Sequence, residues 1–477
     1  MTNPSAPLSS AQGGADCVLA PLSKERRVTM LALTWLIFFT TCGGAYGLEP
    51  LIGAIGPAWA IALILITPLV WSLPTALMAA ELTTLMPTQG GYYVWIRETF
   101  GPFWAVQQAC WSITCAVVWL AIYPVLFVTY LTFFIPALST SAVIRWLIAV
   151  LVILLGMALN FQGAREVGRS AEVSAYLVLG VFLLLLMVWL ERGPAPSSIV
   201  AVLRSDLSSS HQGALLLGLS IIVFDCSGWE NASTYAAEVD KPQRNYPRAL
   251  GLALLVLVLC YLLPVIAGVT VTTSPAIWSS DAGWPVISQL IGGRWLGSLV
   301  AFAGLVSMSG LFNAQLLYIS RLPYVLACDG WFPGFLARVS PGARVPRMAI
   351  LCFGVVAAIF AALSFGSLAI IQCLLYAAGL TLEFLALLVL RIRRPDAHRS
   401  FRVPGGWLGL GYVCASPFAF AALLLFATLR DWRSYPVQLL VVGAVAAFGF
   451  GLYFIRRKMA ETRSGHILEV SGGTFIS

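Results

Sequence analysis

Phe224-Asp225-Cys226-Ser227-Gly228-Trp229-Glu230-Asn231 interrupts a segment that would otherwise read as one transmembrane helix. Leu215 to Phe224 is almost wholly apolar, and small, weakly polar residues resume from Ala232 to Ala237. Between them lie two carboxylates, a glycine and two aromatic rings. A charged side chain at mid-bilayer costs roughly 2.5–3.5 kcal/mol even on a lenient insertion scale, so a pair this close must have a destination. Irregular backbone at membrane depth survives only where protein or a water-filled cavity surrounds it. If the chain lies in a membrane, this stretch is the first candidate for a site.

Composition supplies that condition. The chain has 477 residues, 59% of them hydrophobic and 10% charged, with a mean hydropathy of +0.88. Average soluble proteins carry roughly 25% charged residues. Apolar runs near the ~20 residues a bilayer demands recur along the chain, and about twelve spans are expected. They are Thr29–Ile55, Trp59–Leu85, Pro102–Ile135, Ala142–Asn160, Val167–Leu190, the interrupted Gln212–Glu238, Tyr246–Val271, Trp295–Tyr318, Pro346–Phe365, Leu368–Leu390, Gly406–Leu429 and Tyr435–Phe454. Met86–Gly101 reads as a loop, and Pro68 and Pro74 as a bend in the second span. The polar start, Met1 to Arg27, has no apolar h-region and reads as a tail, not a cleavable signal.

Placing the N-terminus inside puts 22 of the 28 Lys and Arg in inward loops and tails and 6 outside, the bias of the positive-inside rule. Both termini are therefore expected to be cytoplasmic, in a plasma or inner cell membrane. The net charge of +8 reads as topology, not nucleic-acid binding. Of ten cysteines, most lie in or beside apolar segments and none in an outward loop, so free thiols are expected. His211, His398 and His466 fall in loops or tails. There is no phosphate loop, metal cluster or nucleophile–base pair, so no enzyme, metal or cofactor is expected. Energy must come from a gradient.

The first span contains a second interruption, Cys42-Gly43-Gly44-Ala45-Tyr46-Gly47-Leu48-Glu49. Gly47-Leu48-Glu49 and Gly228-Trp229-Glu230 share a glycine, a bulky residue and a glutamate just past the break. Spans one and six would begin two halves of five spans, the second inverted because five is odd, and paired broken helices point to a transporter site near the midplane. The expected fold is an all-α membrane protein with a five-plus-five inverted-repeat core, broken helices 1 and 6, and two C-terminal helices. Its parts are a tail (1–27), a ten-helix core (28–394, repeats about 28–192 and 211–394), a loop with helices 11 and 12 (395–456) and a second tail (457–477).

Carbonyl ends of a broken helix suit cations, and amide ends suit carboxylates. Asp225, Glu230 and Glu49 add negative charge, and Phe224, Trp229 and Tyr46 add rings. That inventory favours an organic cation, whose ammonium groups pair with carboxylates and lie over rings. Trp119 and Tyr123, four apart on the third span, read equally as packing or as a substrate wall. Glu81 and Glu383, near inner ends of spans, read as structural, and Glu172 as a partner for Arg169 at i, i+3.

Several motifs resemble those of the amino acid–polyamine–organocation superfamily. They are Thr88-Gln89-Gly90-Gly91-Tyr92-Tyr93-Val94-Trp95 after span two, Glu238-Val239-Asp240-Lys241-Pro242-Gln243-Arg244 after span six, Ser320-Arg321-Leu322-Pro323-Tyr324 through Asp329-Gly330-Trp331-Phe332-Pro333 after span eight, and Arg394-Pro395-Asp396 with Ser400-Phe401-Arg402-Val403-Pro404 after span ten. The first break, Tyr123-Pro124-Val125-Leu126-Phe127 and Trp229-Glu230-Asn231-Ala232-Ser233-Thr234 are most similar to the polyamine uptake carriers of plants and protozoa. The resemblance implies proton-coupled import, Glu230 as the acid of the substrate site and Phe224 as an aromatic gate. Relatives of that group generally have a serine where this chain has Cys42, an acid where it has Thr129, and no acid at Asp225.

The expected partners are thus a small amine, polyamine-like, and the lipid bilayer. Glu230, Asp225 and Glu49 are the candidates for carrying a coupled proton, and a sodium gradient is left open. A permease or exchanger of cationic or neutral amino acids is the alternative: the resemblance implies that amino acid carriers of the superfamily hold a substrate carboxylate on amides of the first break, here Gly43 and Gly44. A non-transporting sensor on the same fold is a third reading, for which the two tails are short. Oligomeric state is not addressed by the residues.

Overall fold

A computed structural model describes residues 27–193, 215–280, 283–340, 345–362, 365–430 and 436–471. Cys17, His211, most of the N-terminal tail and the start of the sixth span lie outside them. Seventeen helices follow in order: α1 (Met30–Thr41), α2 (Glu49–Ile55), α3 (Pro57–Leu85), α4 (Tyr92–Phe100), α5 (Pro102–Leu131), α6 (Ala142–Asn160), α7 (Ala164–Glu191), α8 (Leu215–Asp225), α9 (Pro242–Val271), α10 (Pro275–Trp278), α11 (Gly283–Gly292), α12 (Arg294–Ile319), α13 (Arg321–Cys328), α14 (Arg347–Phe360), α15 (Phe365–Arg393), α16 (Gly406–Arg430) and α17 (Pro436–Ser471). Nine helices among the described residues are long and apolar enough to cross a membrane, and the chain is an all-α membrane protein.

Both interruptions are breaks in the backbone. α1 starts on Thr29, whose hydroxyl accepts from the Ala32 N–H at 3.2 Å, and stops at Cys42. Seven residues, Cys42 to Leu48, separate it from α2, and Gly43 and Gly44 among them take positive φ (63° and 117°) that no β-carbon-bearing residue accepts cheaply. α8 ends at Asp225, and the chain past Gly228 forms only 3₁₀ turns, Asn231–Thr234 and Ala236–Glu238. A second transmembrane helical half, as the interrupted span Gln212–Glu238 implies, is therefore not formed. The Thr234 hydroxyl bonds the carbonyls of Asn231 (2.9 Å) and Tyr318 (3.1 Å), and the Thr234 carbonyl accepts from Gly90 N–H at 2.9 Å. Short polar side chains here compete with the helical ladder.

The Pro68–Pro74 bend is a π-helical stretch, Pro68–Ser72, inside α3. Such bulges favour functional sites, and this one carries the buried Trp71. Met86–Gly101, expected as a loop, contains α4, which begins where Gly91 adopts φ 41° against Ser233. α17 runs well beyond Phe454.

The segment after the sixth-span break is tied down on one side of the molecule. Val28 pairs with Val239, and Gln89 with Tyr235. Glu238 holds Arg321 Nε at 3.0 Å and Gln89 Nε2 at 3.2 Å. Glu81 is structural, as its place in the chain suggests: Arg391 binds it at 2.5 Å with Nε and Nη2, Arg399 Nε lies at 3.1 Å, and the Val403 N–H donates at 2.8 Å. Two expectations fail. Arg169 pairs with Glu166 at 3.1 Å, and Glu172 instead accepts from the Tyr176 hydroxyl. Seven described cysteines are in no disulfide, as expected, but Cys328 is disulfide-bonded, against the expectation of a thiol there.

Candidate functional site

The two breaks lie against each other. Gly228 has φ 105°, and a side chain there would run into the Thr40 carbonyl at the end of α1. Gly47, at φ 98°, packs on the last residue of α8: a β-carbon there would sit 3.1 Å from Asp225 Oδ1. Glycine is needed twice, once on each strand of the crossing, and each time for close approach. Glu49, Asp225 and Glu230 are 5%, 7% and 3% exposed, so three carboxyl groups are buried around this crossing. None of them takes part in an ion pair among the described residues.

Their hydrogen bonding differs. Glu49 is held by protein: Oε2 accepts from Gly47 N–H at 2.8 Å, and Oε1 from the Tyr130 hydroxyl at 2.8 Å and Trp284 N–H at 3.4 Å. Glu230 Oε2 accepts from the Tyr376 hydroxyl at 2.7 Å. That hydroxyl oxygen in turn accepts from Gly228 N–H at 2.7 Å, so one phenol spans the break. Asp225 Oδ2 has no hydrogen-bond partner among the described residues. The Asp225 backbone carbonyl is satisfied by the Tyr261 hydroxyl at 2.5 Å, so the open group is the side chain. A buried polar atom without a partner costs about 1–3 kcal/mol, more for a charged group, and calls for an explanation such as an absent ligand or ion.

Aromatic rings wall this region. Trp119 lies 5.5 Å edge-on to Tyr376 and 6.5 Å from Phe224, and Trp71 lies 6.2 Å from Tyr376. Trp71 Nε1 also donates to the Ser227 hydroxyl at 3.3 Å, anchoring the π-helical stretch to the break. Two buried acids without an ion pair among the described residues, near the buried rings of Trp71, Trp119 and Tyr376, are the chemical groups with which an organic cation could pair.

The structure links Glu230 through Tyr376 to Trp119 and Phe224, sets the Asp225 side chain against Gly47 next to Glu49, and gives other expected residues different work. Tyr46 donates to the Val300 carbonyl at 2.6 Å and packs on Phe182 and on Tyr130, the residue whose hydroxyl holds Glu49. Trp229 is fully buried and donates to the Cys226 carbonyl at 2.9 Å, so it shapes the break from within. Tyr123 meets Gln315 Nε2 at 3.4 Å, and Gln315 also donates to the Thr40 carbonyl at 3.2 Å. Gly43 N–H bonds the Phe38 carbonyl at 3.0 Å, and Gly44 N–H the Cys42 sulfur at 3.3 Å. Tyr376, Trp71, Tyr130 and Trp284 are site residues that the sequence reading missed. Only Trp71 carried a signal, its place between two prolines. No group of His, Cys, Asp and Glu among the described residues could hold a metal ion.

The family model described as "Amino acid permease" matches residues 28–446. A probable polyamine transporter of Arabidopsis thaliana is 33% identical over 431 residues, covering 90% of this chain and 86% of the relative. A polyamine transporter of rice, Oryza sativa subsp. japonica, is 34% identical, with 89% of this chain and 77% of the relative covered. A further Arabidopsis thaliana polyamine transporter is 32% identical over 89% of this chain and 85% of its own length.

Proposed function

The chain belongs to the amino acid permease family, and we propose that within it the chain is a secondary carrier that imports a polyamine-like cation together with protons. It is a transporter and not an enzyme. The observation that carries the substrate class is Asp225: a carboxylate buried to 7% exposure, with one oxygen unpartnered, beside the break that also holds Glu230. Two acids at one break suit a molecule with at least two ammonium groups, each forming charge-assisted hydrogen bonds. Trp119 and Phe224 supply faces for the methylene and ammonium groups between them. The names of the relatives support the same class.

In this reading the chain works by alternating access on a five-plus-five inverted-repeat core of ten helices, followed by two more, with both termini in the cytoplasm of a plasma or inner membrane. Glu230 and Asp225 bind ammonium groups, and Phe224 gates the site. Glu49 supports the first break; its three donors argue against a direct role with substrate.

An amino acid permease or exchanger is the second reading. It needs the Gly43 and Gly44 amides to hold a carboxylate. Gly44 N–H rests on a sulfur, a weak acceptor that a carboxylate would displace. Gly43 N–H is already bonded to a helical carbonyl, and for a neutral amino acid, with its single amine, no basic side chain among the described residues is paired to the second acid. The polyamine reading therefore stands ahead.

Radiolabelled putrescine uptake into proteoliposomes, competed with agmatine, arginine and leucine, tests both. Putrescine and agmatine should compete and leucine should not. Full uptake by Glu230→Gln with unchanged affinity would sink the site assignment, and leucine or arginine uptake without putrescine uptake would give the second reading.

A further inference from the structure

One buried acid stands outside the substrate site. Glu383, on α15, is 2% exposed; its Oε1 accepts from Gln108 Nε2 at 2.7 Å, and its Oε2 has no partner among the described residues. The amide is oriented: the Ser112 hydroxyl donates to Gln108 Oε1 at 3.2 Å, which turns Nε2 towards the acid. Gly379, one turn before Glu383, leaves room for that amide, since a β-carbon there would already touch Gln108 Nε2 at 3.4 Å.

Comparison with Glu81 shows what this arrangement lacks. Glu81, equally buried, is met by Arg391, Arg399 and the Val403 N–H, donors fit for a permanent carboxylate. Glu383 has one neutral donor and no ion pair among the described residues. A carboxylate so poorly met at membrane depth is costly, and a proton on Oε2 both cancels the charge and fills the open position.

Its place on the helix gives that proton a direction. Tyr376 and Glu383 are seven residues apart, and Arg391 eight further on, so the three fall close to one helical face with steps of about 10–12 Å. One end of this series holds Glu230 through Tyr376, and the other holds Glu81 at the arginine-rich end of α15. The titratable groups facing Glu383 are Glu230, Tyr92 on α4, Tyr246 on α9 and Tyr376 on its own helix.

We propose that Glu383 is a second proton-binding site of the carrier, from which the coupled proton leaves towards the arginine-rich side. This rests on the transport reading above. In the step, the Glu383 carboxyl O–H bond breaks, the proton passes to water admitted when that side opens, and the electron pair stays on the carboxylate, held by Gln108. The next proton, released from the substrate site, restores the acid.

The test uses the full chain in proteoliposomes with radiolabelled putrescine. For Glu383→Gln, accumulation driven by an imposed pH gradient should fall at least about tenfold, while counterflow exchange stays within about twofold of the parent and Glu383→Asp recovers part of the loss. Gradient-driven accumulation at the parent level in Glu383→Gln would overturn the proposal. If the parent chain itself neither accumulates nor exchanges putrescine, the transport reading fails instead. The proton site is then judged by infrared spectroscopy: a protonated-carboxyl band present in the parent and lost in Glu383→Gln supports it, and identical bands overturn it. Should the glutamine variant fail to fold, a shift of that band in Glu383→Asp supports the site, and an unshifted band refutes it.

Discussion

The Tyr376 hydroxyl bridges the sixth-span break, accepting from Gly228 N–H at 2.7 Å and donating to Glu230 Oε2 at 2.7 Å. Glu230, the acid proposed to bind substrate, is thus held by a residue 146 positions away in sequence. Tyr376→Phe removes both bonds and keeps the ring that packs on Trp119 and Trp71. Losing a buried hydrogen bond to a charged partner costs about 1.5–3 kcal/mol. We expect the half-saturating putrescine concentration to rise about tenfold or more, and the melting temperature to fall by several degrees, since Gly228 N–H and Glu230 both lose a buried partner. Unchanged uptake kinetics would mean that Glu230 is aimed by something else.

Asp225 yields a sharper expectation, because its open oxygen has no structural work to lose. Asp225→Asn keeps the shape and removes the charge. Affinity for putrescine should fall by about 10–100-fold, the value of one charge-assisted hydrogen bond. Inhibition by butylamine, which has a single ammonium group, should change less than threefold or so, since one acid suffices for it. Competition curves for the two amines on the same variant check this. Equal losses for both would mean that Asp225 holds the one ammonium the two amines share, and no loss for either would place both contacts elsewhere.

How much of this was legible depends on whether a feature is local. The breaks were, because charge and glycine in an apolar run are costly wherever the chain folds, and Gly47 and Gly228 do sit where the two breaks meet. Tyr376 was not: a lone tyrosine in an apolar span reads as packing, and only the fold brings Glu230 to it. Glu383 read as structural because its sequence position matches that of Glu81, yet the two differ wholly in the donors they meet. Arg169 has an acid three residues away on each side, and spacing alone cannot choose. Helical side chains lean towards the N-terminus, and the observed partner, Glu166, is the one on that side. The sixth span was read as resuming helix because its residues are small, but the Thr234 hydroxyl takes the Asn231 carbonyl and ties the segment to the Tyr318 carbonyl of α12.

Glu49 should behave as a clasp and not as a contact. With donors from Gly47, Tyr130 and Trp284 converging on it, it ties α2 to α5 and α11. Glu49→Gln turns one acceptor into a donor facing donors, at a cost of about 1–3 kcal/mol. The expected result is a melting temperature lowered by several degrees, with near-normal putrescine affinity in the surviving protein. A large loss of affinity with unchanged melting would make Glu49 a substrate ligand.

Arg321 and Glu238 form a buried ion pair in the segment after the sixth-span break. The guanidinium is 1% exposed and reaches both carboxylate oxygens, at 3.0 and 3.3 Å, while Nη1 bonds the Leu317 carbonyl and the Ser320 hydroxyl. Glu238 also receives Gln89 and lies next to Val239, which pairs with Val28, so the pair joins three segments that must separate if this side opens. Removing one partner of a buried pair leaves an uncompensated charge and costs about 3–5 kcal/mol, whereas replacing both is often far milder. Arg321→Met alone should therefore lower the melting temperature more than Arg321→Met combined with Glu238→Gln. The double variant, freed of the pair but folded, should react faster than the parent with a membrane-impermeant thiol reagent at a cysteine placed on the break, in a background lacking the native free cysteines. Melting losses that simply add, together with unaltered labelling, would show that the pair neither couples these segments nor restrains this side from opening.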